Sequence, residues 1–250
     1  MRLPATLCFL YRRCPIALYQ LDPLQVYFPP AQLALDSPNG LLAIGGDLTP
    51  DWLVKAYQNG IFPWFNLGEP ILWWSPDPRG VILPAEVHPN KSLRKYLRKA
   101  EFSYSVNQAF SQVIQNCATL RQKTDGTWIT EEMIQAYIQL HQQGYAHSIE
   151  VWQSQKLVGG LYGINIGRLF CGESMFHIVS NASKAAFCCL GQLCRQLEIE
   201  LIDCQMVNPH LETLGVYQMP REQFLARLPE LTQKALDKDA WKARELSNEP

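Results

Sequence analysis

The chain has almost no net charge: 22 Lys and Arg face 23 Asp and Glu over 250 residues, a formal −1 at pH 7. That balance excludes a generic polybasic nucleic-acid coat, because phosphate affinity needs cations facing the backbone. Long hydrophobic runs are missing too. Residues 102–120 contain no Asp, Glu, Lys or Arg, but Ser, Asn and Gln recur through them, so they cannot span lipid. The apolar piece within residues 1–10 is too short for a secretory signal, and Arg12 and Arg13 follow it instead of preceding it. No two glycines are separated by a single residue. This excludes the Gly-x-Gly-x-x-Gly dinucleotide fingerprint and the Gly-x-Gly pyrophosphate loop of coenzyme-A acyltransferases. Gly167 to Gly172 has P-loop glycine spacing, but Glu173-Ser174 stands where Lys-Ser/Thr is needed, and a carboxylate there repels phosphate. His-Glu-x-x-His, paired Cys/His zinc spacings and Cys-x-x-Cys are absent, although the chain holds eight cysteines. The expectation is an enzyme without nucleotide cofactor or metal, its cysteines reduced and buried in a cytoplasmic protein.

Hydrophobic residues make up 47% and charged residues 18%, as in a folded globular chain. Thirteen of the 17 prolines and four of the seven tryptophans lie within residues 1–89. This shift predicts a poorly specified extension over 1–24 and a small, loop-rich domain over 25–79. A mixed α+β domain follows over 80–232, with a tail over 233–250. Thr49-Pro50-Asp51 opens a helix that Asn59-Gly60 ends. Helices are also predicted over 88–99, 106–116, 130–143 and 182–197, with Thr130 capping the third of these. Strands are predicted over 146–153, 156–166, 168–175 and 198–205.

Several residues could carry chemistry. Strand alternation puts Leu201, Asp203 and Gln205 on one face, Ile202 and Cys204 on the other, and Cys171 with Glu173. Asp203 and Glu173 read either as site carboxylates or as strand-end groups that bond loop backbone. Trp64, Trp73, Trp74 and Trp128 read either as core packing or as stacking platforms for a base. Residues 91–99 hold five cations and no acid. Lys91, Arg94, Lys95, Arg98 and Lys99 therefore read as a solvated helix face or as a phosphate-binding stripe. Cys171 with His147 or His177 has no spacing specific to a thiol nucleophile, and a buried thiol is the simpler reading.

These segments together resemble one family, the leucyl/phenylalanyl-tRNA–protein transferases. The resemblance rests on Asn39-Gly40 through Gly46-Asp47-Leu48, Asn59-Gly60-Ile61-Phe62-Pro63-Trp64 and Trp73-Trp74-Ser75-Pro76-Asp77-Pro78-Arg79. It continues through Gly126-Thr127-Trp128, His147-Ser148-Ile149-Glu150, Cys171-Gly172-Glu173-Ser174, Asn181-Ala182-Ser183-Lys184 and Leu201-Ile202-Asp203-Cys204-Gln205, in the family's order, over about 26–228. It implies a small N-terminal domain joined to an acetyltransferase-like (GNAT) domain that binds no coenzyme A. It implies transfer of Leu or Phe, and also Met, from aminoacyl-tRNA to the N-terminal Arg or Lys of proteins, which tags them for degradation under the N-end rule. By the same resemblance Gln205 accepts a hydrogen bond from the attacking amine, Asp203 orients Gln205, and Glu173 holds the acceptor's cationic N-terminus. Trp64 and Trp128 flank the 3′-terminal adenosine, and Lys91, Arg94, Lys95 and Arg98 contact tRNA phosphates. Leu161, Phe170, Met175, Ile202, Leu190 and Cys194 match the aminoacyl side-chain pocket. Relatives carry aromatic residues at the last two positions, so a shifted side-chain preference is expected. A monomer without membrane attachment is the implied form. Two competing readings are a coenzyme-A-dependent N-acyltransferase, disfavoured by the missing glycine loop, and a tRNA-binding module without catalysis.

Overall fold

The computed structural model describes residues 18–122 and 128–246. Four strands form a small sheet in the order β1-β2-β4-β3: β1 (Tyr19–Leu21), β2 (Leu41–Gly45), β3 (Phe62–Pro63) and β4 (Leu72–Trp74). Only β1–β2 is parallel. Residues 19–21 thus belong to a sheet, unlike the extension expected over 1–24; residues 1–17, with Cys8 and Cys14, lie outside the described residues. Helix α1 (Pro50–Gln58) packs on this sheet through Trp52, Leu53, Ala56 and Tyr57. Pro50 sits at the helix start as expected, but the Thr49 side chain makes no cap bond. Gly60 ends the turn at φ +72°, where an added Cβ would meet Leu225, Leu228 and Phe224, so glycine is required there. Phe28, Trp52 and Trp73 pack ring to ring, with centroids 4.7–6.1 Å apart. Burying each tryptophan contributes roughly 4–6 kcal/mol of transfer free energy.

The larger sheet has eight strands: β5 (Arg79–Ile82), β6 (Ser103–Val106), β7 (Ala146–Gln153), β8 (Lys156–Ile166), β9 (Leu169–His177), β10 (Leu201–Asp203), β11 (Tyr217–Met219) and β12 (Arg244–Leu246). Their order is β11-β5-β10-β9-β8-β7-β6-β12, antiparallel except for β9–β10. Helices α2 (Lys91–Leu97), α3 (Phe110–Gln122), α4 (Glu131–Gln142), α5 (Ala182–Gln196), α6 (Pro209–Glu212) and α7 (Arg221–Gln233) complete seven helices among the described residues. None of them is long and apolar enough to cross a membrane.

Strand alternation sorts the core into two layers. Tyr162, Ile164, Cys171 and Leu201 join α3, α4, α7 and the small sheet on one face. Leu161, Phe170, Ile202 and Cys204 join α5 on the other. Helix α5 lies so close that a Cβ at Gly159 would fall 2.5 Å from that of Ala182. Strand β8 therefore runs unbroken through Gly159-Gly160, because small residues there admit the helix.

Several bounds differ from expectation. The 88–99 helix shrinks to Lys91–Leu97, because Asn90 takes the cap position and accepts from the Leu93 N–H at 2.9 Å. The segment predicted helical from 106 is strand β6 up to Val106, and the helix starts at Phe110. The 198–205 strand keeps only Leu201–Asp203. The predicted tail over 233–250 carries Trp241, which stacks on His147 at 4.3 Å and on Phe170 at 5.5 Å, and β12 extends the sheet.

Candidate active site

Strand β10 ends at Asp203, a fully buried carboxylate. Burying it alone would be costly, and Arg79 at the start of β5 meets it as a two-pronged partner. Arg79 Nε and Nη2 donate to Asp203 Oδ1 and Oδ2, each at 2.7 Å, and Nη1 donates to the Gly60 carbonyl at 3.0 Å. The guanidinium lies between Phe62 (5.0 Å) and Phe224 (4.6 Å). Burial lowers the Arg79 pKa, but the Asp203 charge and hydrogen bonds outweigh it, and the net shift is upward. The pair joins neighbouring strands β5 and β10 across 124 residues of sequence, and the bond to Gly60 ties them to the turn after α1.

Asp203 also shapes the next turn. Its Oδ1 accepts from the Gln205 backbone N–H at 2.9 Å, an Asx turn that bends the chain off the strand. Gln205 is held at φ +58°, a strained conformation for a non-glycine residue. Its side-chain Nε2 donates to Glu173 Oε1 at 3.2 Å. Glu173 is the extra residue of a β-bulge, since Tyr162 pairs with Ser174 and Gly163 with Gly172. The bulge re-aims the carboxylate off the ladder. Glu173 Oε2 accepts from Tyr137 Oη at 2.8 Å, and Tyr137 Oη bonds Tyr57 Oη at 2.6 Å. Burial pushes the Glu173 carboxyl up to about 7, against the opposing pull of the Tyr57 and Tyr137 hydroxyls. Both phenols are themselves pushed well above the usual range, first by burial and next by the Glu173 charge.

Glu173 and Gln205 line a cavity of about 410 Å³, within the size range of small-ligand sites. One part is apolar, with Leu161, Met175, Phe187 and Leu190; another carries Trp64, Trp128 and Arg121. Trp64 is exposed, and its carbonyl accepts from Trp74 Nε1 at 2.6 Å. Arg121 Nε donates to Ser174 Oγ at 3.0 Å. The wall thus offers a carboxylate and an amide side by side, between an apolar recess and two indole faces.

The family model for the leucyl/phenylalanyl-tRNA protein transferase matches residues 81–229, and that for its N-terminal domain matches 46–77. A leucyl/phenylalanyl-tRNA–protein transferase of Shewanella halifaxensis (strain HAW-EB4) is 53% identical over 233 residues, covering 93% of this chain and 99% of that protein. One of Idiomarina loihiensis is 53% identical over 229 residues, covering 92% and 97%. The chain belongs to the leucyl/phenylalanyl-tRNA–protein transferase family. It is an aminoacyltransferase. Among solved structures, a protein of unknown function from Bacteroides thetaiotaomicron superposes with a TM-score of 0.40 at 11% identity over 64% of this chain and 57% of that one; so remote a likeness carries no argument.

Of the residues matched to the transferase family by sequence, Glu173, Gln205, Trp64, Trp128, Leu161, Met175 and Leu190 share this one cavity. Asp203 lies behind the wall and reaches Gln205 through its backbone N–H, not through the side-chain amide. Phe170, Ile202 and Cys194 do not line the cavity. Phe170 and Ile202 are on the correct sheet face but lie deeper in the core, Phe170 beneath Trp241. Cys194 is one helical turn past Leu190, about 5.4 Å along the axis, and is fully buried. Phe187, one turn before Leu190, takes the lining place instead. Lys91, Arg94, Lys95, Arg98 and Lys99 are exposed on and just after α2 and do not line the cavity. Gly126 and Thr127 of the transferase motif lie outside the described residues, whereas Trp128 is within them. Cys171 is buried beside Asp203, and its thiol is pushed well up, by burial first. His147 is engaged with Asn107 and Trp241, and no bond joins it to Cys171, so the structure forms no thiol–base pair there. Sequence reasoning assigned no role to Arg79, Tyr57, Tyr137 or Phe187. The hydroxyl contact between the two tyrosines spans 80 residues of sequence, beyond any local pattern.

Proposed function

We propose that the chain transfers Leu, Phe or Met from aminoacyl-tRNA to the N-terminal Arg or Lys of proteins, tagging them for degradation in the cytoplasm. The observation that carries this reading is the Glu173–Gln205 pair, set between an apolar recess and two tryptophans in one cavity. The parallel β9–β10 pair within an otherwise antiparallel sheet supports an acetyltransferase-like (GNAT) catalytic domain over 80–232, preceded by a small domain over 25–79; the working form is a monomer.

An aminoacyl ester is already activated, so aminolysis needs no nucleotide energy. The enzyme must hold the ester against an amine and keep water and misoriented encounters out. The donor side chain enters the recess of Leu161, Met175, Phe187 and Leu190. The terminal adenine stacks on Trp64 and Trp128, each base–ring contact contributing about 1–3 kcal/mol. Glu173 attracts the acceptor ammonium. With Gln205 Nε2 given to Glu173, Gln205 Oε1 accepts an N–H of the attacking amine. Asp203 is a positioning residue. Lys91, Arg94, Lys95 and Arg98 hold phosphates of the acceptor stem, outside the cavity.

The test is transfer of labelled amino acid from charged tRNA to proteins that begin with Arg, Lys or Glu. Arg and Lys acceptors are expected to be labelled and the Glu acceptor not; equal labelling of all three contradicts the assigned acceptor class. A competition among Leu-, Phe- and Met-tRNA reads the recess. The family resemblance implies aromatic residues where Leu190 and Cys194 stand, so the side-chain preference shifts, by about 1–3 kcal/mol for a methylene-sized change; an unaltered preference order for Leu contradicts this.

A further inference from the structure

We propose that Glu173 is the proton carrier of the transfer step, and that the Tyr137–Tyr57 pair is a positioning device that keeps its carboxylate ready to accept. The inference rests on the transferase reading of the cavity and adds the proton path to it.

Two carboxylates stand near the cavity, and their surroundings separate their roles. Asp203 has both oxygens committed to Arg79, and Oδ1 also accepts from the Gln205 N–H. It is fully buried and does not line the cavity. Glu173 lines the cavity. It receives one neutral donor on each oxygen, Gln205 Nε2 on Oε1 and Tyr137 Oη on Oε2. A carboxylate has about four acceptor sites, so lone pairs remain for an incoming N–H.

The charged and titratable groups around Glu173 come from every neighbouring element. Tyr57 is on α1, Tyr137 on α4, Tyr162 on β8, Cys171 on β9, Asp203 on β10 and Arg79 on β5, and Arg121 on α3 and His210 on α6 line the same cavity. Tyr162 and Cys171 are pushed up by burial and stay protonated. Arg79 and Asp203 oppose each other as a fixed pair. Gln205 Nε2 and the Tyr137 hydroxyl favour the anion by direct donation, and Tyr57, bonded to Tyr137, acts in the same direction. Burial works the other way and brings the carboxyl to about 7, near the value a general base needs for rapid exchange at neutral pH.

The acceptor ammonium gives one proton to solvent, and its neutral nitrogen attacks the ester carbonyl carbon, forming the C–N bond. Glu173 takes the second N–H proton as the tetrahedral carbon forms. The ester C–O bond breaks, and the same proton passes from Glu173 to the departing ribose oxygen. The products are an amide and a free hydroxyl, and Glu173 returns to the carboxylate.

The test is the pH profile of kcat/KM for Leu transfer to an Arg-initiated protein, with full-length wild type, Tyr137→Phe, Tyr57→Phe and Glu173→Gln. The acceptor's own amine titration is common to all four and cancels between variants. Removing the Tyr137 hydroxyl weakens the anion, so the acid limb moves to higher pH by about one unit. Tyr57→Phe moves it the same way, and serves if Tyr137→Phe does not fold. Glu173→Gln loses about 100-fold or more. An acid limb that stays in place while the rate falls evenly at every pH makes the tyrosines merely structural and overturns the inference. Glu173→Gln within threefold of wild type also overturns it. Wild type that transfers nothing at any pH fails the transferase reading itself, a distinguishable outcome.

Discussion

Replacing Arg79 by methionine leaves Asp203 buried without its cation. The two 2.7 Å bonds disappear together with the bond to the Gly60 carbonyl. Asp203 keeps the Gln205 N–H and the neighbouring Cys171 thiol, neither of them charged. Removing one partner of a buried ion pair costs about 3–5 kcal/mol. For a chain of this length each kcal/mol lowers Tm by about 2–4 °C, so a fall of about 6–20 °C is expected. The double variant Arg79→Met/Asp203→Leu separates the fold from the chemistry. It removes the orphaned charge and fills the space with apolar groups, so most of the lost stability returns. Its activity does not return, because the Gln205 N–H has lost the acceptor that sets the turn. Thermal denaturation and a transfer assay on the two variants read both effects. A loss below about 1 kcal/mol for Arg79→Met would show that the pair is not desolvated as the structure has it. An active double variant refutes the positioning role of Asp203.

Three further outcomes follow from single groups. Truncating Lys95 or Arg98 to alanine weakens tRNA binding uniformly and reduces the slope of log K against log salt by about one per contact; an unchanged slope removes α2 from the tRNA interface. Glu173 has its carboxyl raised from 4.5 to about 7, so stability falls as pH rises between those values and the loss is complete above about 7. Glu173→Gln therefore raises stability at pH 8 by about 1–2 kcal/mol, a value discounted because the cavity admits water to the carboxylate, and a Tm that falls instead contradicts the assigned burial. Burial pushes His147 down to about 3, with His141 adding a smaller lowering. The unfolded chain takes up this proton near pH 6.5 and the folded chain does not, so stability is present above 6.5 and is lost as pH falls toward 3. Urea midpoints across that window check the sign, and His147→Gln flattens the dependence.

Much of the eight-stranded sheet was legible in its local patterns. The strands 146–153 and 156–166 stand within their predicted bounds, because alternation and turn residues are local signals. Thr130 caps α4 as expected, accepting from Met133 N at 3.3 Å. The Leu201–Asp203 stretch was legible as a face assignment, since Leu201 and Ile202 enter opposite cores, whereas Gln205 lies past the strand end in the Asx turn, where alternation no longer applies. The short strands of the small domain carry two to five residues each, too few for a period to emerge. The Arg79–Asp203 and Tyr57–Tyr137 contacts join distant segments, so no spacing encodes them. Cys194 shows how a family match fails at close range: the i, i+4 step from Leu190 keeps a helix face but leaves the cavity, and Phe187 at i−3 enters it. The even charge balance was equally indirect. With +5 concentrated in residues 91–99, the other residues hold 17 cations against 23 anions, and all five of those cations are exposed in the fold.

The central claim is that the Glu173–Gln205 wall performs aminoacyl transfer. Single-turnover transfer of labelled Leu from charged tRNA to an Arg-initiated protein, by wild type and Gln205→Ala, tests it most directly, with tRNA affinity measured on the same samples. The account predicts transfer by wild type and a loss of about 100-fold in Gln205→Ala, the scale of a lost positioning contact, at tRNA affinity within threefold. Gln205→Ala transferring as fast as wild type, or no transfer by wild type, would contradict it.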